Sequence, residues 1–273
     1  MGVDNNIAIQ IGIAGLGTIG KTIALALVKG VPGVGLSVIS TRNVAAAKDW
    51  LQQHGIDVPV VALGELEQYC DVAIECAPAE VMRELAEPVL KAGKTLVVLS
   101  SGALLDRLDL LDLAQRHAGR ILIPTGALLG LDAVKAAAEG KINKVTMVSR
   151  KPVEGFRGAP FLVKHNIDIE DITEPKLLFS GKAREAATGF PANLNVAISL
   201  SLAGIGPDLT ELEIWADPTI HRNTHTIIVD SDSASFSMTI ENIPSENPKT
   251  GRITAQSVIA LLRGLAAPLR VGT

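Results

Sequence analysis

A chain of 273 residues, 47% of them hydrophobic, has enough apolar material for one large core or two modest ones. With aromatics at only 3%, those cores are built from Ala, Val, Ile and Leu, which suits a buried parallel sheet wrapped in helices. A net charge of −4 gives no electrostatic case for nucleic acid or an anionic membrane, and no apolar run reaches the roughly 18 residues a membrane helix needs. The opening Met1 to Asn6 lacks a basic stretch followed by an apolar one, so no signal peptide is expected. Cys70 and Cys76 offer neither a disulfide framework nor metal-ligand spacing. They read as buried packing residues in a reducing compartment, the cytoplasm, and no metal site is expected.

The first predicted strand, within Ile7 to Ile13, runs into Gly15-Leu16-Gly17-Thr18-Ile19-Gly20, and a helix through Ile23, Leu25 and Leu27 closes on Lys29-Gly30. Strand, glycine-rich turn and helix form the context in which G-x-G-x-x-G marks a dinucleotide site. Gly15 permits the turn, Gly17 admits a pyrophosphate, and Gly20 lets helix and strand pack closely. The amides of Thr18, Ile19 and Gly20 then face the phosphates at the positive end of the helix.

The second strand, Leu36 to Ile39, ends at Ser40-Thr41-Arg42-Asn43, where an Asp or Glu would bind the adenine ribose of NAD. None is present. Ser40 can bond a ribose hydroxyl or a phosphate, and Arg42 can pair with a 2′-phosphate, so NADP is accepted and NAD is not excluded.

A helix (Val44 to Gln53), a short strand (Val58 to Ala62), polar helical turns to Cys70 and a strand over Asp71 to Pro78 follow. Glu75 and Ala77 end that strand and line the cofactor crevice, because open parallel sheets bind ligands beyond their carboxyl ends. Glu75 is either a functional carboxylate or a capping, structural one. Then come a helix around Pro88 (Val81 to Lys91), a strand (Thr95 to Leu99) with small polar residues Ser100 to Ala103 at its end, a helix (Leu104 to His117) and a sixth strand (Ile121 to Ile123). The βα alternation implies an N-terminal Rossmann domain with a doubly wound parallel sheet.

The alternation breaks at Pro124 to Gly130, a glycine-rich hinge. Residues 1–125, with a C-terminal helix in 252–273, form the dinucleotide-binding domain, and 126–251 form an α+β substrate and dimerisation domain. Its elements are a helix (Leu131 to Glu139), a strand (Val145 to Ser149), a long irregular connection (151–175), a strand (Leu177 to Ser180), and helices over Lys182 to Thr188 and from Gly189 through Ala203. Alternating strands at Leu212 to Ala216, His225 to Val229 and Ser233 to Ile240 indicate a largely antiparallel sheet with one covered face. A loop over Glu246 to Gly251 leads to an apolar helix, Thr254 to Leu265, which returns to the first domain.

Of the five histidines, His54 and His117 end helices, where the dipole favours them without any function, and His165 lies in the long connection. His221 and His225 lie in or beside the turn Asp217 to His225 between two sheet strands. Imidazole titrates near working pH, so either is a candidate acid/base, and the residues alone do not choose between them.

Several segments together resemble the L-aspartate dehydrogenases of the homoserine-dehydrogenase-like group. They are Gly15 to Gly20, DVAIECA (Asp71 to Ala77), PTGALLGLDA (Pro124 to Ala133), SRKP (Ser149 to Pro152), FPANLNVA (Phe190 to Ala197), LAGIG (Leu202 to Gly206), ADPTIHRNTH (Ala216 to His225) and NPKTGRITAQSV (Asn247 to Val258). The resemblance implies oxidation of L-aspartate to iminosuccinate with NAD or NADP, the imine being hydrolysed or feeding NAD biosynthesis. It implies His225, in Asn223-Thr224-His225, as the catalytic histidine, and cofactor contacts at Ala127 and Asn195, with Asn193 nearby. Lys151, Arg222, Asn223 and the backbone near Ser101-Gly102 are candidates for the substrate carboxylates. The alternatives are a dehydrogenase of the same build acting on another small amino or hydroxy acid or aldehyde, such as a homoserine-type substrate, and a non-catalytic NAD(P)-binding regulator. An uncovered sheet face in the second domain makes a homodimer the expected assembly.

Overall fold

The computed structural model describes residues 9–190, 194–245 and 251–272. These fall into two compact units, one running to Pro124 and resuming over Thr254–Val271, the other spanning Thr125–Ile253 with Gly272.

In the first unit the chain alternates β1 (Ile9–Ala14), α1 (Thr18–Gly30), β2 (Val34–Ser40), α2 (Val44–Gln53), β3 (Val60–Val61), β4 (Val72–Glu75), α3 (Met82–Lys91), β5 (Thr95–Val98), α4 (Asp109–Arg116) and β6 (Arg120–Leu122). The strands form one parallel sheet in the order β3-β2-β1-β4-β5-β6. Strand order reverses between β1 and β4, the switch point at which such sheets bind ligands. Central β1 is covered on both faces, so Ile11 and Ile13 on one face and Ala14 on the other are all fully buried. α1 follows because Ile23, Ala24 and Leu27 fall on one helical stripe against that strand.

α4 is shorter than the apolar pattern from Leu104 to His117 suggests. Ser101–Leu104 instead form a 3₁₀ turn, and the Arg107 guanidinium forks onto Asp109 at 2.9 and 2.8 Å. Asp106 and Asp109 favour turns and helix starts over a helix interior, which accounts for the late beginning. Pro88 lies inside α3.

The second unit contains α5 (Leu131–Ala138), β7 (Ile142–Lys151), α6 (Pro160–His165), β8 (Lys176–Lys182), α7 (Ala183–Gly189), α8 (Leu194–Ala203), β9 (Glu211–Ala216), β10 (Asn223–Ser231) and β11 (Ser235–Asn242). Its sheet runs β11-β10-β7-β9-β8, antiparallel except for the β7/β9 pair. Val145, Met147, Leu212, Ile214, Ile227 and Val229 are buried on one face. Each such side chain contributes about 1.5–3 kcal/mol. The connection expected to be irregular holds a 3₁₀ turn, Val153–Phe156, and then α6, with Pro160 at its start and left-handed Asn166 at its end. Its Phe161 packs at 4.9 Å from Phe190 and 5.8 Å from Phe179, between ring centroids. The expected loop over Glu246 to Gly251 lies outside the described residues, apart from Gly251.

The closing helix, α9 (Ile253–Ala266), places Ala255, Val258 and Leu262 in the first unit's core beside Ile11, Ile13, Ile23 and Leu27. Cys70 is buried, Cys76 is half-buried, and both are free thiols.

Candidate active site

In the first unit the crevice is set by the glycines after β1. Gly15 has φ +102°, and a Cβ there would collide with the Cys76 carbonyl, so only glycine fits. Its amide donates to Ser40 O at 2.7 Å, joining the ends of β1 and β2. A Cβ on Gly20 would strike the Gly15 carbonyl, so helix and turn are in close contact. At exposed Gly17, by contrast, a Cβ would stand in open space with nothing within 4 Å. Gly17 caps α1 without a side-chain hydrogen bond, and no acid occupies the first turn. Open space in front of uncapped helix amides, with no competing carboxylate, fits a dinucleotide diphosphate. Thr18 and Ile19 are half-buried in that first turn.

Around this turn, Ser40 is buried at the end of β2 and Arg42 is exposed just beyond it. Ala77 is half-buried past the end of β4. Glu75 is fully buried and accepts hydrogen bonds from Leu99 N at 3.1 Å, Ser100 N at 2.7 Å and Ser100 Oγ at 3.1 Å. It thus ties the end of β4 to the segment that follows β5. Ser101 is fully buried beside it and Gly102 half-buried.

In the second unit the covered sheet face turns polar at one end. Alternation along β7 buries Ser149 and Lys151 in phase with Val145 and Met147, and along β10 it buries His225 in phase with Ile227 and Val229. His225 pairs directly with Ser149 across the ladder, and its Nδ1 lies 3.1 Å from Ser149 Oγ. His225 therefore stands within a strand, not in the turn, whereas His221 and Arg222 are exposed on the turn itself. Burial, with the Lys151 charge adding to it, pushes the imidazole down to about 3, so it is neutral near pH 7. Burial also pulls the Lys151 ammonium down to about 8. The turn is pinned by Asp217, which bonds Thr219 N at 3.0 Å and Thr219 Oγ1 at 2.6 Å and lies 3.4 Å from the Arg150 guanidinium. Burial opposes the charge on Asp217, but those donors outweigh it and hold the carboxyl below its ordinary range.

One row beyond His225, half-buried Asn223 pairs with buried Asn242, whose Nδ2 donates to Ala127 O at 2.9 Å. Lys151, Asn223 and His225 thus share one end of one sheet, and Ala127 is tied to it through Asn242. Asn195 is exposed near the start of α8, and Asn193 lies outside the described residues. Ser149 opens the SRKP segment without a role assigned to it, and Asn242 lies in none of the motif segments. The available signal was a polar residue on the buried phase of an otherwise apolar alternation. Among the described residues no cluster of His, Cys, Asp and Glu could hold a metal, and no helix is long and apolar enough to cross a membrane.

Residues 15–124 match the family model described as homoserine dehydrogenase, NAD binding domain, and residues 132–265 match that described as aspartate dehydrogenase, C-terminal. L-aspartate dehydrogenase 3 of Bordetella bronchiseptica is 60% identical over 264 residues, covering 96% of this chain and 97% of that one. The chain belongs to the L-aspartate dehydrogenase family. Another L-aspartate dehydrogenase similar to it, from Bradyrhizobium diazoefficiens, is 56% identical over 265 residues, covering 97% of this chain and 94% of that one. The crystal structure of aspartate dehydrogenase from Thermotoga maritima has the same fold, with a TM-score of 0.72 at 24% identity over 97% of this chain and 99% of that one. In this member of the L-aspartate dehydrogenase family the first unit is an NAD(P)-binding domain.

Proposed function

We propose that the chain oxidises L-aspartate with NAD or NADP to iminosuccinate, which water converts to oxaloacetate and ammonia, and that it runs the same steps in reverse. The observation that carries this reading is the buried group Ser149, Lys151 and His225, an imidazole and an ammonium desolvated within electrostatic reach of each other. Relatives at 60% and 56% identity carry the name L-aspartate dehydrogenase.

Gly15, Gly17, Thr18, Ile19 and Gly20 hold the coenzyme diphosphate, and Ser40 and Arg42 hold the adenine ribose and its 2′-phosphate when there is one. Ala77, Ala127 and Asn195 complete the coenzyme contacts. When bound, the nicotinamide supplies the acceptor for the hydride on the substrate Cα. His225 takes a proton from the substrate amine or from attacking water. A base must start unprotonated, and burial with the Lys151 charge keeps this imidazole so. A bound dicarboxylate then adds negative charge, which favours the imidazolium and raises the basicity of His225 when substrate arrives. Lys151 takes a substrate carboxylate through a charge-assisted hydrogen bond, with Arg222 and Asn223 as further donors.

The sheet face opposite the covered one, carrying Val148, Ile228 and the Thr226–Thr239 hydroxyl pair, supports a homodimer, which light scattering tests. Free Cys70 and Cys76 agree with a reducing cytoplasm. The function itself is tested by following NAD(P)H formation over a panel of amino and hydroxy acids. L-Aspartate should dominate. Preference for a homoserine-type substrate, or coenzyme binding with no turnover on any substrate, would replace this reading.

A further inference from the structure

No step above uses the Glu75 carboxylate, yet it is fully buried at the end of β4. Its Oε2 accepts from Leu99 N at 3.1 Å and Ser100 N at 2.7 Å, its Oε1 accepts from Ser100 Oγ at 3.1 Å, and the Ala77 amide bonds it as well. The groups beside it in the sheet are apolar, Ala14 from β1 and Val98 from β5. Its titratable chain neighbour, Cys76, is a thiol that burial keeps protonated. Backbone and hydroxyl donors rather than a cation therefore answer the desolvation of this acid. An ionised carboxylate accepts on both oxygens. A protonated carboxyl or an amide must turn a donor towards donors already in place, and one of those bonds is lost.

The same segment supports the glycine turn. A Cβ on Gly15 would stand 2.7 Å from Cys76 C and 2.9 Å from Ala77 N. One side chain thus ties together the end of β4, the end of β5 and the stretch against which the phosphate-binding glycine rests. These are the strand carboxyl ends beside the switch point.

We propose that Glu75 is a positioning residue for the dinucleotide: its ionised carboxylate fixes the Ala77 and Leu99–Ser100 backbones as the floor of the coenzyme crevice, and protonation releases them. The proposal rests on the first unit being the NAD(P)-binding domain. Burial raises this carboxyl to about 7 against the pull of the Ser100, Leu99 and Ala77 donors, so release falls close to neutrality.

The test is a fluorescence titration of the full chain with NADH, without substrate, in wild type and Glu75→Gln, from about pH 8 to about pH 6, with circular dichroism confirming the fold at each pH. Wild-type Kd should rise several-fold from about pH 8 to about pH 6, towards a plateau about tenfold above its alkaline value. Glu75→Gln should bind about tenfold more weakly at the alkaline end and show no pH slope, the cost of roughly one lost charge-assisted hydrogen bond. A wild type without that slope, or a Glu75→Gln protein with wild-type affinity or the wild-type slope, overturns the proposal. Should Glu75→Gln not fold, Ser100→Ala removes a single donor to the charged form and should move the wild-type midpoint to higher pH. An unmoved midpoint counts against the proposal. A wild type that binds neither NADH nor NADPH would instead overturn the NAD(P) reading beneath it, so the two failures are told apart.

Discussion

Ser149 Oγ lies 3.1 Å from His225 Nδ1, across the register pair that joins β7 to β10, and both side chains are buried. The hydrogen bond at one ring nitrogen decides what the other offers. In the tautomer whose Nδ1–H donates to the serine, Nε2 keeps its lone pair and is the basic nitrogen. Ser149→Ala should therefore lower kcat about tenfold, the value of roughly one buried hydrogen bond, with NADH affinity unchanged. Ser149→Thr keeps the hydroxyl and should recover most of the rate. An alanine variant with wild-type kcat would remove Ser149 from the mechanism.

In the proposed mechanism Lys151 acts on both substrate and imidazole. Lys151→Met should raise KM for L-aspartate at least tenfold, the loss of about one charge-assisted contact. It should also lift the pH at which His225 takes up a proton, because a neighbouring positive charge has gone. Steady-state kinetics and histidine NMR titration measure the two effects. An unchanged KM would place the substrate carboxylates elsewhere.

Two buried groups give stability opposite pH dependences. His225 falls from 6.5 to about 3 on folding, so the unfolded chain binds a proton that the native state refuses. Its contribution is whole above about 6.5 and is lost as pH falls through the folded value. Glu75 rises from 4.5 to about 7, so the native state binds the extra proton, and its contribution is whole below 4.5 and lost as pH rises through about 7. Between those limits the slopes cancel. Glu75→Gln keeps only the histidine slope, so on acidification from about pH 6.5 to about pH 4.5 it should lose roughly 3 kcal/mol more than wild type in urea unfolding. Equal losses would mean that Glu75 titrates normally in the folded protein.

Arg42 is exposed beyond β2, on a strand end that bears no carboxylate. Arg42→Ala should weaken NADPH about tenfold while sparing NADH, since only NADPH carries the 2′-phosphate for a charge-assisted pair. Equal effects on the two coenzymes would assign the arginine no part in discrimination.

Local patterns carried much of the fold. Gly15 to Gly20 between an apolar strand and an amphipathic helix announced the crevice, and the apolar Ala255, Val258 and Leu262 stripe announced a partner for α9. Non-local pairing left no such mark. β7 and β9 pair in parallel although intervening chain separates them, and nothing within either strand specifies that neighbour. α6 was signalled, by Pro160 at its first position and by Asn166 in the left-handed cap, but its few residues carry too little periodicity to stand out. In the candidate site a motif pointed to His225, which lies buried at the polar end of the covered sheet face. Ser149 stood in the SRKP segment without a role, because a serine in a strand usually faces solvent and only the phase shared with Val145, Met147 and Lys151 places it inside.

The central claim is that the His225 imidazole moves the proton. The most direct measurement is turnover of L-aspartate with NAD(P) by His225→Ala, paired with NADH binding by the same protein. A fall in kcat of about 10²–10⁴-fold with coenzyme affinity intact is the expected result. A variant that binds NADH and turns over at the wild-type rate would contradict the account.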